Sequence, residues 1–405
     1  MSRPPRLARI RESSTATTLE LFFDLVFVFA MIQVTALVAE DPSWHRVVRG
    51  LLLVAVLWWC WVGYSWLSNL VRADVGLGRV AVLLAMAAMF TLALAIPEAF
   101  DDLPGGLHGP TVLAFAYLLV RAVHLLLFFV VARDDPGLRR QLVRWAPSVV
   151  GGTALLLIAG QTSGTTQTLL WAAAVLADYG GTLVIGASGW RLNSARHFAE
   201  RHGLILIIAL GESIISIGVG VNQVALSWPI LLAALLGLSV SASLWWAYFD
   251  TQQIISERAL ARARGAERAA LARSAFTFLH LPLVAGVVLL ALGLKKVLNY
   301  VGGTDGHTLA DPLHGPPLWS LTGGLALCLF AAAAISWRCD RARKPQRVGL
   351  GLLLLGLTPL LALLPALAAL AVVAVLMVAL NAGEWVHYRE HRARVHAEHE
   401  LESHL

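Results

Sequence analysis

Apolar runs of about twenty residues return along the whole chain, and they constrain its fold more than any other feature. A bilayer's hydrocarbon core is about 30 Å thick. A helix of roughly twenty apolar residues crosses it with every backbone polar group satisfied internally. Twelve spans are drawn, at 18–39, 46–70, 79–99, 109–132, 142–160, 168–190, 203–223, 228–250, 273–297, 317–338, 347–363 and 366–384. The last two are punctuated only by Thr358-Pro359 and Pro365, so eleven is the alternative count. Of the 405 residues, 58% are hydrophobic and 14% charged, against about 25% charged in a soluble domain. The alternating ten-residue segments of a β-barrel are absent. The expected fold class is all-α, a polytopic integral membrane helix bundle of about twelve transmembrane helices.

Basic residues test this map, because Lys and Arg gather in short cytoplasmic loops. With the N-terminus inside, 26 of the 31 Lys and Arg fall on the inner segments and 4 on the outer, with Arg121 left inside a span. The split supports the spans and puts both termini in the cytoplasm. It also explains the net charge of +6 without nucleic acid. Tryptophans mark the same ends, Trp44, Trp171, Trp228 and Trp319 outside and Trp66, Trp145, Trp190, Trp337 and Trp385 inside. The first apolar run carries Asp24 and no small-residue cleavage site, so it reads as a retained helix. The expected organisation is a basic tail over 1–17, a transmembrane domain over 18–384 and a His/Glu-rich tail over 385–405. Residues 251–272 read as an inner surface helix, and 299–316 as an irregular outer loop. Cys60, Cys328 and Cys339 suggest no disulfide framework.

An internal repeat is legible. Leu57-Trp58-Trp59-Cys60-Trp61 returns as Leu244-Trp245-Trp246-Ala247-Tyr248 at an offset of 187, and Asp24 and Glu212 are 188 apart. Two parallel six-helix halves, 18–190 and 203–384, would give both offsets.

Ionisable residues inside a span cost about 2.5–3.5 kcal/mol each on the lenient insertion scale, so each needs a partner or a purpose. Asp24, Asp178 and Glu212 are the deep acids, Arg121 the deep base, and His124 and His280 the deep imidazoles. Thr17-x-x-Glu20 fits a capping box, and Asp24 follows Glu20 by one helical turn with Phe27 on the same face. Arg121 cannot deprotonate, and either Asp178 or Glu212 would be its partner. Three acids against one Arg leave two carboxylates that must hold a proton or coordinate a cation. Ser216 lies one turn after Glu212, among glycines that allow close helix approach. Pro282 frees a backbone carbonyl beside His280, so a hinge and a packed histidine are both open readings.

Two short motifs carry less. Gly186-Ala187-Ser188-Gly189 matches the G-x-S-G string of intramembrane serine proteases, with nothing to set a base opposite it. Glu384-x-x-His387-x-x-x-His391 has metal-type helical spacing in a solvated tail. No nucleotide loop or catalytic triad is present, so no enzyme, cofactor or resident metal is expected.

Several stretches together resemble one family. They are Glu20-Leu21-Phe22-Phe23-Asp24-Leu25-Val26-Phe27-Val28-Phe29-Ala30, Arg201-His202-Gly203-Leu204 leading to Leu210-Gly211-Glu212-Ser213, and His280-Leu281-Pro282-Leu283-Val284-Ala285-Gly286. They look like the bacterial low-temperature-requirement A (LtrA) family, and the resemblance covers about 18–384. It implies a many-helix bacterial inner-membrane protein linked to growth in the cold, and brings no substrate with it. Phe22-Phe23-Asp24-Leu25-Val26-Phe27 is also similar to the first-helix string of the two-repeat potassium channels, but Thr18 stands where they carry a basic residue.

The leading expectation is a transporter or channel for a small cation or a proton-coupled solute. Asp24 and Glu212 would be its working groups, with Glu20, Arg121, His124, Asp178, Ser216 and His280 as companions. A non-transporting scaffold or lipid sensor for cold adaptation is the alternative, and a homo-oligomer is left open. A polar cavity joining Asp24 to Glu212 would favour transport, a tightly paired charge cluster with no water-sized path the scaffold, and a serine–histidine contact in a wet cleft the third, disfavoured reading, an intramembrane enzyme.

Overall fold

Each apolar run becomes a helix, since only a helix satisfies its own backbone in lipid. The computed structural model describes residues 10, 12, 14–187, 189–220 and 224–403, and the described residues are helical almost throughout. In chain order the helices are α1 (Thr18–Glu40), α2 (Trp44–Ser68), α3 (Gly76–Leu94), α4 (Gly109–Val131), α5 (Pro136–Ala159) and α6 (Gly164–Ile185). They continue with α7 (Ala195–Gly220), α8 (Trp228–Phe249), α9 (Gln252–Arg262), α10 (Gly265–Leu271) and α11 (His280–Val301). The last four are α12 (Gly315–Asp340), α13 (Pro345–Leu361), α14 (Ala366–His387) and α15 (Arg389–Ser403). Among the described residues, eleven helices are long and apolar enough to cross a membrane. The protein is an all-α polytopic membrane bundle.

The chain divides into two compact units. The first holds Met1–Leu37, Val48–Leu204 and Ala261–Arg273, and the second Val38–Val47, Ile205–Leu260 and Ser274–Leu405. In the first, α3 packs on α4, α4 on α5, and α5 on α6. Helix starts follow local chemistry: Asp135 caps α5 by accepting from the N–H groups of Gly137 and Leu138 at 3.1 and 3.2 Å, and Pro136 needs no partner at the first position.

In the second unit α11 packs on α12, α12 on α13, and α14 on α8. The α11–α12 seam depends on missing side chains. A Cβ on Gly286 would stand 2.6 Å from the Gly324 carbonyl, and one on Gly293 2.7 Å from the Leu321 backbone. Small residues let helices approach this closely where lipid supplies no hydrophobic drive.

The expected span at 347–363 is the 17-residue α13, about 25 Å long at 1.5 Å per residue and short for a full crossing. It still runs the length of its neighbours. Arg347, at its start, bonds Glu384 near the end of α14 at 2.8 Å. At its far end Thr358 bonds Thr322 of α12 at 2.8 Å, and Ala366 N–H reaches Asp311 O at 3.0 Å, just before α12 begins. Residues 362–365 complete what the helix lacks in length.

Three expectations are corrected. The inner segment 251–272 is not a single surface helix, because Gln252–Arg262 prolongs α8 and α10 follows separately. The outer loop is less irregular than its composition suggests, with a 3₁₀ turn at Thr304–Gly306 and a Pro312–Pro365 bridge. The tryptophan belt is incomplete. Trp44, Trp228, Trp319, Trp337 and Trp385 are exposed, whereas Trp66, Trp145 and Trp171 are buried as core.

Candidate functional site

Among the described residues, the first unit has two clusters in which acid and base are both buried. In α1 the spacing expected from sequence sets the inward face. Glu20, Phe23, Asp24, Phe27 and Met31 are buried, while Phe22 and Leu25 are more than half exposed. The capping box forms. Thr17 N–H and Oγ1 donate to Glu20 Oε2 at 2.7 and 2.9 Å, and Glu20 N–H returns a bond to Thr17 Oγ1 at 3.3 Å. Glu20 does more than cap. His197 Nε2 lies 3.0 Å from Oε1, and Arg201 Nη1 lies 3.2 Å from the same oxygen.

Arg201 joins the two acids of α1. Its Nη2 donates to Asp24 Oδ1 at 2.7 Å, and Trp61 Nε1 donates to the same oxygen at 2.7 Å. The guanidinium also lies 5.5 Å from the centre of the Trp61 ring. Glu20, Asp24, His197 and Arg201 are each 0–2% exposed, so nothing here is screened by bulk water. Asp24 Oδ2 and Arg201 Nε have no hydrogen-bond partner among the described residues. A cavity of about 20 Å³, room for one water, reaches Glu20 and Arg201 between α1, α2, α3 and α4.

Arg201 corrects the charge count. The basic-residue map assigned it to an inner loop with Arg191 and Arg196, whereas it is 1% exposed inside α7. Two signals were available in the sequence. His197 and Arg201 are one turn apart, matching Glu20 and Asp24, and Arg201 opens one of the motifs quoted above. His197, Trp61 and Asn69 were likewise missed, because none stands out as a charge within an apolar run.

The second cluster answers the question of Arg121's partner. Arg121 Nη2 donates to Asp178 Oδ1 at 3.4 Å, and Tyr117 O–H donates to Asp178 Oδ2 at 2.5 Å. Arg121 also stacks over Trp145 at 4.9 Å. Gly152 makes room for Asp178, whose Cγ would stand 3.0 Å from any Cβ there. His124 is boxed by Tyr64, Phe128 and Trp145 at ring distances of 5.0–5.6 Å. Neither of its ring nitrogens has a side-chain hydrogen-bond partner among the described residues. One carboxylate against one guanidinium closes this cluster at zero net charge.

In the second unit Glu212 is fully buried and accepts from Ser216 Oγ at 2.8 Å, the contact its spacing suggests. Ser213 and Ser241 share a hydrogen bond of 2.8 Å on the neighbouring helix face. Lys295 lies near enough to Glu212 to interact electrostatically. His280 is fully engaged. Its Nδ1 meets Ala275 O at 2.8 Å, its Nε2 meets Tyr248 O–H at 2.8 Å, and Phe276 stacks on the ring. A π-helical segment, Ala272–Phe278, precedes it, and Pro282 falls in the first turn of α11, where a missing N–H costs little.

Glu384 is held by Arg347 through Nε and Nη2, both at 2.8 Å. No group of three metal-binding side chains occurs among the described residues. Ser188 of the protease-like string lies outside the described residues.

The comparisons meet these same helices. Residues 15–382 match the bacterial low temperature requirement A protein (LtrA). The chain belongs to the LtrA family. An uncharacterised protein of Rhizobium meliloti (strain 1021) is 30% identical over 324 residues, covering 76% of each chain. The matched LtrA region contains both carboxylate clusters of the first unit, Glu212–Ser216 and His280.

Proposed function

We propose that this LtrA protein moves a small cation, or a solute coupled to protons, across the bacterial inner membrane. The cluster of Glu20, Asp24, His197 and Arg201 is its working site. Glu212 with Ser216 is a second site of the same chemistry in the other unit. The observation that carries the reading is that two buried carboxylates one turn apart share a single guanidinium. A charge left unbalanced in a low-dielectric interior is expensive, so the pair calls for one further positive charge that can come and go. Support also comes from the water-sized cavity at Glu20 and Arg201. The 25-to-4 division of basic residues that remains once Arg201 is placed inside α7 favours an inner membrane orientation with both termini cytoplasmic. The reading requires no covalent chemistry and no cofactor.

The test is ion flux into proteoliposomes under an imposed proton or potassium gradient. Asp24→Asn is expected to cut flux at least about tenfold, equivalent to about 1.4 kcal/mol in the barrier, and Glu212→Gln to lower it less. Absence of flux in folded wild type for every ion tried would overturn transport. Growth provides a separate check on the scaffold reading. If Asp24→Asn restores growth in the cold to a deletion strain as well as wild type does, the family's phenotype does not depend on this carboxylate.

A further inference from the structure

Asn69 fixes the chemistry of the working cluster from outside it. Its Oδ1 accepts from the N–H groups of Asn193 and Ser194 at 2.7 and 3.2 Å, and its Nδ2 donates to Ser194 O at 2.7 Å. These three bonds leave only one orientation for the amide, because a flipped amide would turn its NH₂ toward two N–H donors. The second N–H of Nδ2 then points to His197 Nδ1, 3.3 Å away. An amide N–H needs an acceptor, so Nδ1 carries no proton. The proton of the neutral ring is on Nε2, where it donates to Glu20.

The charges now follow. His197 is neutral, Arg201 is positive, and Glu20 accepts from Thr17 twice and from His197 and is ion-paired with Arg201, as an ionised carboxylate is. Asp24 has one oxygen taken by two donors and the other with no partner among the described residues. With Asp24 ionised the cluster carries one net negative charge. Apart from His197 and Arg201, no basic side chain among the described residues lies within ion-pair distance of Glu20 or Asp24. Tyr64 donates to Val120 O, His202 Nδ1 meets Phe198 O, Ser68 faces Glu20, and Val82 of α3 and Leu127 of α4 close the cavity without charge. Beyond them, Glu200 accepts from Ala16 N–H, and Asp74 is paired with Arg72.

We infer that Asp24 is the group that takes up and releases a single monovalent cation, H⁺ or an alkali ion. Asn69 is the positioning residue that reserves this role for Asp24 by holding His197 neutral. Proton uptake forms the Oδ2–H bond and releases the water of the incoming hydronium; uptake of an alkali ion forms or breaks no covalent bond. The assignment rests on the transport reading only in naming the charge as cargo.

The experiment pairs infrared spectroscopy with ¹⁵N NMR on the full-length protein, from about pH 5 to pH 8. His197 is assigned by the signal lost in His197→Gln. The expected wild-type result is a neutral His197 with its proton on Nε2, together with a carboxylic acid band that titrates. That band shifts with [4-¹³C]aspartate, not with [5-¹³C]glutamate, and is missing in Asp24→Asn. Asn69→Ala frees Nδ1, so His197 becomes an imidazolium and the Asp24 acid band falls; a merely structural role for Asn69 would move neither signal. If the acid band is absent at every pH but sodium or potassium, unlike choline, moves the Asp24 carboxylate band, the cargo is the alkali ion. A wild-type imidazolium or Nδ1–H tautomer overturns the inference, as does a band that follows the glutamate label, or an Asp24 indifferent to pH and to both ions. These wild-type readings hold even if Asn69→Ala does not fold. Absent flux with the expected spectra would remove the transport reading and leave the Asp24 assignment standing.

Discussion

Arg121 and Asp178 show how context divides residues that look alike in sequence. Both are charged and buried, as Asp24 and Arg201 are, but theirs is a one-to-one pair with Tyr117 filling the second carboxylate oxygen. Such a pair stabilises little beyond an apolar equivalent, yet breaking it is costly. Arg121→Leu is therefore expected to destabilise the protein by about 3–5 kcal/mol, read as unfolding in detergent micelles. Arg121→Leu combined with Asp178→Leu should recover most of that loss. Simple additivity of the two single effects would mean that the residues do not act as a pair. Tyr117→Phe should cost about 1–3 kcal/mol, since it leaves one oxygen of a buried carboxylate without its donor.

Among the elements, α11 and α12 depend on what is missing from their interface. Gly286→Ala would press a methyl group against the Gly324 carbonyl and Cys328 Sγ, both 2.6 Å from its Cβ. Backbone cannot yield as a side chain does, so the expected loss is about 1–3 kcal/mol, measured as a lowered midpoint of thermal unfolding. Gly356→Ala is the control: its Cβ would meet nothing within 4 Å, and helix propensity alone predicts a small gain. Equal effects at both sites would show that helix propensity, not the seam, decides. The interior face of α1 was legible, because the 20, 24, 27 spacing follows the helical period. The turn of α7 that carries His197 and Arg201 was not legible in the same way. An arginine at a helix end reads equally as a loop charge or a buried partner, and only packing decides which.

At the scale of the molecule the open quantity is how many times the chain crosses. Among the described residues eleven helices have the length, and α13 reaches from the end of α12 back to its start with help from residues 362–365. Twelve passes put both termini on one side. A single cysteine at Glu390, in a background without the native thiols, should therefore react with a membrane-impermeant maleimide only after cells are permeabilised. One at Thr304 should react in intact cells. Labelling of both in intact cells would mean that α13 does not cross. The sequence supplied the spans because hydropathy and loop charge are summed over many residues, and no single contact alters them.

The sequence alone determined the class of this protein, an all-α membrane bundle, and that Asp24, Arg121, Asp178, Glu212 and His280 lie in apolar surroundings. Lipid permits few backbone solutions, and charge in an apolar run is visible without coordinates. Tertiary structure decided the pairings: that Arg121 takes Asp178, that Arg201 holds both Glu20 and Asp24, and that Asn69 meets His197. Partners separated by 177 residues meet at hydrogen-bond distance only once the helices have packed. Which oxygen faces which donor is settled there by angles and tenths of an ångström, which no one-dimensional pattern carries.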